Sequence, residues 1–245
     1  MKKIVIGDIV SRAWDLAVKH WPIFVLMSLI TSLCSQFGAT VDPNVLTGLG
    51  QNPDPQAVVE ALREGMVFNY PMLIIGALLS TYLGFVVYRM LYSAITTGRP
   101  YTTLGDAFKV DLVQLAIFFC IEIVYGLAIG FGLLLFIIPG IFLAVRWIFA
   151  PLIAATEGTD FVESFRRSWQ ATSGNFWNLL LLGLVAIGIA ILGLCACCVG
   201  VLFADVIINF MLVLAYLELK PQQPTFEDET IFKDNNNPSD FVEVQ

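Results

Sequence analysis

Six predominantly apolar stretches recur along the chain, at 21–37, 70–95, 112–136, 141–156, 176–194 and 199–217. A helix needs about 20 such residues to cross about 30 Å of hydrocarbon. The pattern therefore predicts an all-α polytopic bundle of about six transmembrane helices. The fourth stretch is the shortest, and Pro151 lies inside it. Pro139-Gly140 reads as the external turn that precedes it.

A second pattern precedes alternate spans. Ile6, Ile9, Val10, Ala13, Trp14, Ala17 and Trp21 follow helical spacing, with Asp8, Ser11, Arg12, Asp15 and Lys19 on the other face. Phe161, Phe165, Ser168, Trp169, Thr172 and Phe176 repeat this, with Glu163, Arg166, Arg167, Gln170 and Ser173 opposite. Asp160 with Glu163 reads as a capping box, and Gly174 as a helix stop. A weaker copy starts at Thr103 and Asp106 and carries Leu104, Ala107, Phe108, Leu112 and Leu115. The unit is an interfacial amphipathic helix plus a transmembrane hairpin, present three times. Trp14, Trp21, Phe165, Trp169, Phe176 and Trp177 are the expected headgroup-level anchors, and Arg166 and Arg167 the expected contacts to anionic lipid. In the long loop at 38–69, Asp54-Pro55 starts a short helix with Val58, Val59, Leu62 and Met66 on its apolar side.

Composition agrees. Hydrophobic residues make up 58% of the 245 and charged residues only 13%. A soluble domain holds roughly 25% charged residues, so a soluble enzyme and a nucleic-acid binder are excluded. The formal charge of -7 is concentrated at one end. Residues 221–245 hold Glu227, Asp228, Glu229, Asp234, Asp240 and Glu243 against Lys233, and read as an acidic disordered tail after a membrane domain at 1–220. Phe226, Ile231 and Phe241 in that tail offer contacts to a protein partner. With both termini cytoplasmic, the inner segments carry ten Lys and Arg and the outer loops only Arg63, which is the bias that sets orientation.

Catalytic chemistry is poorly served. His20 is the one histidine, and the five cysteines lie in apolar surroundings. No Ser/His pair, His-based metal site or cofactor motif is visible, so no catalytic residue, metal or cofactor is expected. Cys195, Cys197 and Cys198 read as small apolar residues at a turn. Gly126 with Gly130, and Ser80 with Gly84, have the spacing that lets helices approach closely.

Pro139-Gly140-Ile141-Phe142-Leu143-Ala144-Val145-Arg146-Trp147, then Glu157-Gly158, Glu163-Ser164-Phe165-Arg166-Arg167-Ser168-Trp169 and Gly174-Asn175-Phe176-Trp177, resemble the glycerophosphoryl diester phosphodiesterase membrane-domain family. The resemblance covers about residues 139–182 and implies a multi-pass protein of the bacterial cytoplasmic membrane. In fused members of that family the catalysis belongs to a soluble domain with histidines and carboxylates around a metal. This chain has no second histidine, and His20 is followed by Trp21-Pro22. The resemblance thus implies a stand-alone membrane module without the phosphodiesterase activity.

Four ionisable residues fall within the spans: Arg89, Glu122, Arg146 and Asp205. Charge at membrane depth costs about 2.5–3.5 kcal/mol on insertion scales, so such groups pair or line a cavity. At 1.5 Å per residue they lie about 14, 15, 16 and 20 Å from the cytoplasmic ends of their spans. Glu122 with Arg146 is the preferred pair and Arg89 with Asp205 the second. Two readings stay open: ion pairs that fix register, or a polar site for a charged group. The functional expectation is a non-enzymatic, lipid-associated membrane module supporting envelope homeostasis or a partner complex. The alternative is a small transporter or channel using the four charges. A water-filled cavity would favour the alternative, and a dry bundle the first.

Overall fold

The computed structural model describes residues 5–36, 39–41, 56, 58–59, 66–100 and 108–220. Eight helices dominate them: α1 (Ile6–Ser35), α2 (Tyr70–Thr97), α3 (Leu112–Leu135), α4 (Ile137–Arg146), α5 (Ala150–Glu157), α6 (Phe161–Thr172), α7 (Phe176–Cys195) and α8 (Cys197–Leu219). Six helical stretches are long and apolar enough to cross a membrane, with α4 and α5 together forming the fourth. The all-helical expectation holds, apart from a three-residue ribbon. There β1 (Ala39–Val41) pairs antiparallel with β2 (Met66–Phe68), Val41 opposite Met66. Met66 is therefore a strand residue and not part of a loop helix. Thr103, Asp106 and the tail at 221–245 lie outside the described residues.

The first amphipathic segment is not a separate interfacial helix. It runs unbroken into the first span, so α1 has 30 residues with Pro22 inside, about 45 Å at 1.5 Å per residue. That exceeds the hydrocarbon thickness. A helix leaving the apolar layer for water can change from apolar to amphipathic without a break. Its inner side, Ile9, Ala13, Ala17 and Phe24, is buried against α8 and α2. The third copy does form its own helix, α6, ended by Gly174 at φ 83. The first and third units are thus not equivalent, and among the described residues the threefold repeat is not confirmed.

The hairpin turns differ from expectation as well. The α3–α4 turn is at Phe136, and Pro139-Gly140 falls inside α4. A Cβ on Gly140 would meet the Leu133 backbone nitrogen at 2.6 Å, and one on Gly132 the Gly140 Cα at 2.8 Å. Gly193 and Gly200 make the same close approach across the α7–α8 turn, where a Cβ on Gly200 would meet the Gly193 carbonyl oxygen at 2.5 Å. By contrast, a Cβ on Gly84, Gly126 or Gly130 would meet nothing within 4 Å. Close packing uses glycines at the turns rather than the spaced pairs within spans.

The fourth span is broken at Trp147–Phe149, and Pro151 is the second residue of the second piece. Proline suits a helix start, where its missing N–H has no intrahelical role. Helix α6 crosses the break. Ser168 donates to the Arg146 carbonyl at 2.9 Å and accepts from the Phe149 amide at 3.2 Å. Thr172 donates to the same carbonyl at 3.5 Å. These contacts satisfy backbone groups that the interruption leaves open. Residues 150–155 of α5 are buried against α2 and α3.

Candidate functional site: an intramembrane cavity

Hydroxyl-bearing side chains gather between α1, α2, α3 and α8. Ser28, Thr31, Ser32 and Ser35 occupy one face of α1, at spacings of three and four. Ser80, Thr81, Gly84 and Tyr88 face them from α2, Glu122 from α3, and Asp205 and Asn209 from α8. They line a cavity of about 490 Å³. Its floor is apolar, with Phe24, Leu91 and Phe118 among the lining residues.

Asp205 is held from two sides. Ser28 donates to one carboxyl oxygen at 2.7 Å, and Asn209 donates to the other at 3.0 Å. Asp205 is nonetheless exposed. A carboxyl accessible within a span needs water or a polar partner beside it. Glu122 contributes a second carboxyl, and no side chain among the described residues donates to it. The lining includes no Lys, Arg or His. An arrangement of two carboxyls, an amide and several hydroxyls supplies acceptors and favours a cation or a group rich in hydrogen-bond donors.

The four intramembrane charges do not form one cluster. Glu122 and Asp205 share the cavity wall, and the two arginines are absent from it. Arg146 has no carboxylate within 4 Å among the described residues. Its Nη1 donates to Ser173 at 3.1 Å, and its guanidinium lies 4.8 Å from the Trp169 ring centre, 5.2 Å from Phe142 and 5.9 Å from Phe176. The preferred Glu122–Arg146 pair is therefore not made. Arg89 donates to the Lys109 carbonyl at 2.9 Å and lies over Phe85 at 5.8 Å. Rise per residue gives depth along a helix but not the direction a side chain takes around it.

The interfacial residues also divide. Glu157 accepts from Arg167 and Lys220, each at 2.8 Å, and from the Tyr216 hydroxyl. Glu163 accepts from both arginines of α6, Arg166 at 2.7 Å and Arg167 at 2.8 Å. Hydrogen bonds from Arg166 and Arg167 hold its carboxyl down at about 2. Asp160 makes no side-chain cap, so the expected capping box is replaced by this ion network. Arg166 and Arg167 are engaged by carboxylates of their own chain. Phe165 packs against Trp147 with centroids 4.9 Å apart. Trp14, Trp21, Trp169 and Trp177 are exposed, Trp177 by 76%. Phe176 stacks on Phe142 at 5.4 Å.

The hydroxyl face of α1 went unread in the sequence, although Ser28, Thr31, Ser32 and Ser35 stand at helical spacing within an apolar run. That is the signal for a polar wall inside a bundle.

Over residues 4–230 the chain matches a family described as a domain of unknown function, DUF7847. The UPF0259 membrane protein plu2479 of Photorhabdus laumondii subsp. laumondii is 25% identical over 126 residues, which cover 50% of this chain and 45% of that protein. The chain thus aligns with less than half the length of this relative. No solved structure matches. Neither match carries the phosphodiesterase membrane-domain designation. Matched over nearly its whole length and with six helices able to span a membrane, the chain belongs to the DUF7847 family.

Proposed function

We propose that this is a non-enzymatic protein of the bacterial inner membrane that binds a small cationic solute within the bilayer, as a transporter or channel does. The observation that carries the reading is the cavity: two carboxyls, Glu122 and Asp205, among hydroxyls, with no basic residue in the wall. A volume of about 490 Å³ suits a small organic molecule. At reduced dielectric a carboxyl attracts a cation several-fold more strongly than it does in bulk water. The break in the fourth span is not part of this site, since none of residues 147–149 lines the cavity. The reading therefore rests on the acid-lined wall alone.

The test is a thermal-stability screen of the purified protein in lipid nanodiscs. Alkali cations, primary amines and polyamines are compared with neutral sugars and carboxylic acids. Stabilisation confined to cations, weakened at least about tenfold in apparent affinity by Asp205→Asn or Glu122→Gln, supports the proposal. Equal responses to neutral or anionic solutes, or carboxyl variants that respond as the parent does, would overturn it.

A further inference from the structure

Arg146 stands apart from the other cations whose partners are described. Arg12 meets Glu218, Arg166 and Arg167 meet Glu163, and Lys220 meets Glu157. Arg146 meets a serine hydroxyl and three aromatic rings, and its Nε is buried with no hydrogen-bond partner. The rings attract the cation, but they add no negative charge. The guanidinium thus keeps unused donors and has no carboxylate beside it among the described residues.

Its position says what compensates it. Arg146 is the last residue of α4, after which the span breaks. It packs beside Phe176, the first residue of α7, whose 20 residues are about enough to cross the hydrocarbon on their own. Trp177, next to Phe176, is 76% exposed, and Trp169 on the other side is 40% exposed. Aromatic residues of this kind mark the headgroup level. Arg146 therefore stands beside the start of the α7 span, where these aromatic residues gather, although along the chain it is near the middle of the Ile137–Glu157 stretch. A depth of about 16 Å requires a helix that runs straight from Arg146 to Glu157, and the helix breaks after Arg146.

We propose that Arg146, with Ser173 and the Phe142, Trp169 and Phe176 rings, binds the phosphate group of a membrane phospholipid. A guanidinium presents a planar fork of donors that matches phosphate oxygens, and the exposed tryptophans provide a surface for the glycerol and upper acyl chain. The α6 arginines, neutralised by Glu157 and Glu163, do not compete for it. This inference does not depend on the cavity.

Native mass spectrometry of the full chain, released from detergent micelles, tests it. Phosphatidylglycerol, diacylglycerol and inorganic phosphate are added in separate arms. The expected result is retention of phosphatidylglycerol at least about tenfold above diacylglycerol, lost in Arg146→Gln and kept in Asp205→Asn. Retention of inorganic phosphate in place of the lipid would identify a soluble anion as the ligand and overturn the lipid assignment. Equal retention of diacylglycerol, or undiminished lipid in Arg146→Gln, would overturn the site. Should Arg146→Gln fail to fold, a photo-crosslinking residue at the exposed Trp177 position gives the answer in the otherwise native chain. Phospholipid adducts enriched over the composition of the bilayer support the site, and adducts that follow bulk composition sink it.

Discussion

The hydroxyl of Ser168 joins α6 to the interrupted fourth span by donating to the carbonyl of Arg146. The same oxygen accepts from the Phe149 amide, and Ser168 is fully buried. One side chain thus serves a donor and an acceptor that the break leaves without helical partners. Ser168→Ala removes both bonds at once, leaving the Phe149 amide without a partner and the Arg146 carbonyl with only the long contact from Thr172. Leaving buried backbone groups unmade costs about 1–3 kcal/mol, so thermal unfolding in detergent is expected to show a clear loss of stability. Ser11→Ala, which removes an exposed bond to the Asp8 carbonyl, is expected to change little. Equal effects of the two substitutions would mean that the break is held by packing alone.

The turn glycines give a second expectation. Gly140→Ala and Gly200→Ala each drive a methyl into backbone less than 3 Å away. Overpacking of this kind costs about 1–3 kcal/mol or more, and both variants should express poorly. Gly126→Ala places its methyl in open space and gains up to about 1 kcal/mol of helix propensity. The comparison is read from the yield of monodisperse protein after extraction. It distinguishes close helix approach at the turns from the Gly-x-x-x-Gly spacing in α3.

These residues show what the chain discloses before it is folded. The six spans are legible because length and hydropathy are local properties. Pro151 marks the fourth span as irregular. The break itself is bridged by Ser168 and Thr172, some twenty residues further on, and no local pattern in residues 141–156 announces it. The depth of Glu122 is computable from helical rise along the unbroken α3, whereas that of Arg146 is not, because its helix ends there. Nor is their separation, because Arg146 turns to Trp169 and Phe176 while Glu122 lines the cavity. The cavity was half legible: Glu122 and Asp205 stood out as charges, whereas the hydroxyls beside them passed as ordinary small residues of a span.

The Glu157 cluster ties the end of α8 to α5 and α6. Glu157 is largely buried and accepts from Arg167, Lys220 and Tyr216. Glu157→Gln keeps the shape and removes the charge, leaving Lys220 and Arg167 without that partner. A hydrogen bond to a charged group contributes about 1.5–3 kcal/mol, discounted here because both cations are about one-third exposed. A loss of about 2 kcal/mol is expected, with Tyr216→Phe losing less. A double-mutant cycle between Glu157→Gln and Lys220→Met should show coupling. Strict additivity would mean that the contact contributes nothing to stability.

The neighbouring Glu163 gives the pH dependence. Its carboxyl is lowered to about 2 by the two arginines. A lowered acid stabilises the fold above its unfolded value and loses that contribution as pH falls toward the folded one. Arg166 and Arg167 are raised by the same hydrogen bonds, so they keep their protons across the accessible range. The difference in melting temperature between the parent and Glu163→Gln should hold steady above about pH 5 and shrink below about pH 4. A difference that grows in acid would have the wrong sign and would refute the network as drawn.

Water access to the cavity can be separated from mere exposure. Ser32 and Ser35 line the cavity, and Leu33 between them is 61% exposed. A soluble protein would present all three to water. In a bilayer Leu33 faces lipid, whereas the two serines face a polar interior. Thiols react with charged reagents through the thiolate, which forms in water and hardly at all in hydrocarbon. In a background with the five native cysteines replaced, Ser32→Cys and Ser35→Cys should react with a cationic methanethiosulfonate and Leu33→Cys should not. Applied to intact cells, the impermeant reagent should reach Ser35→Cys from outside, because the basic residues favour cytoplasmic termini and α1 then ends at the outer face. Modification only after the cells are opened would invert the topology. Reaction at Leu33→Cys with none at the serines would mean that the cavity is dry and that the carboxyls do not meet a solute from water.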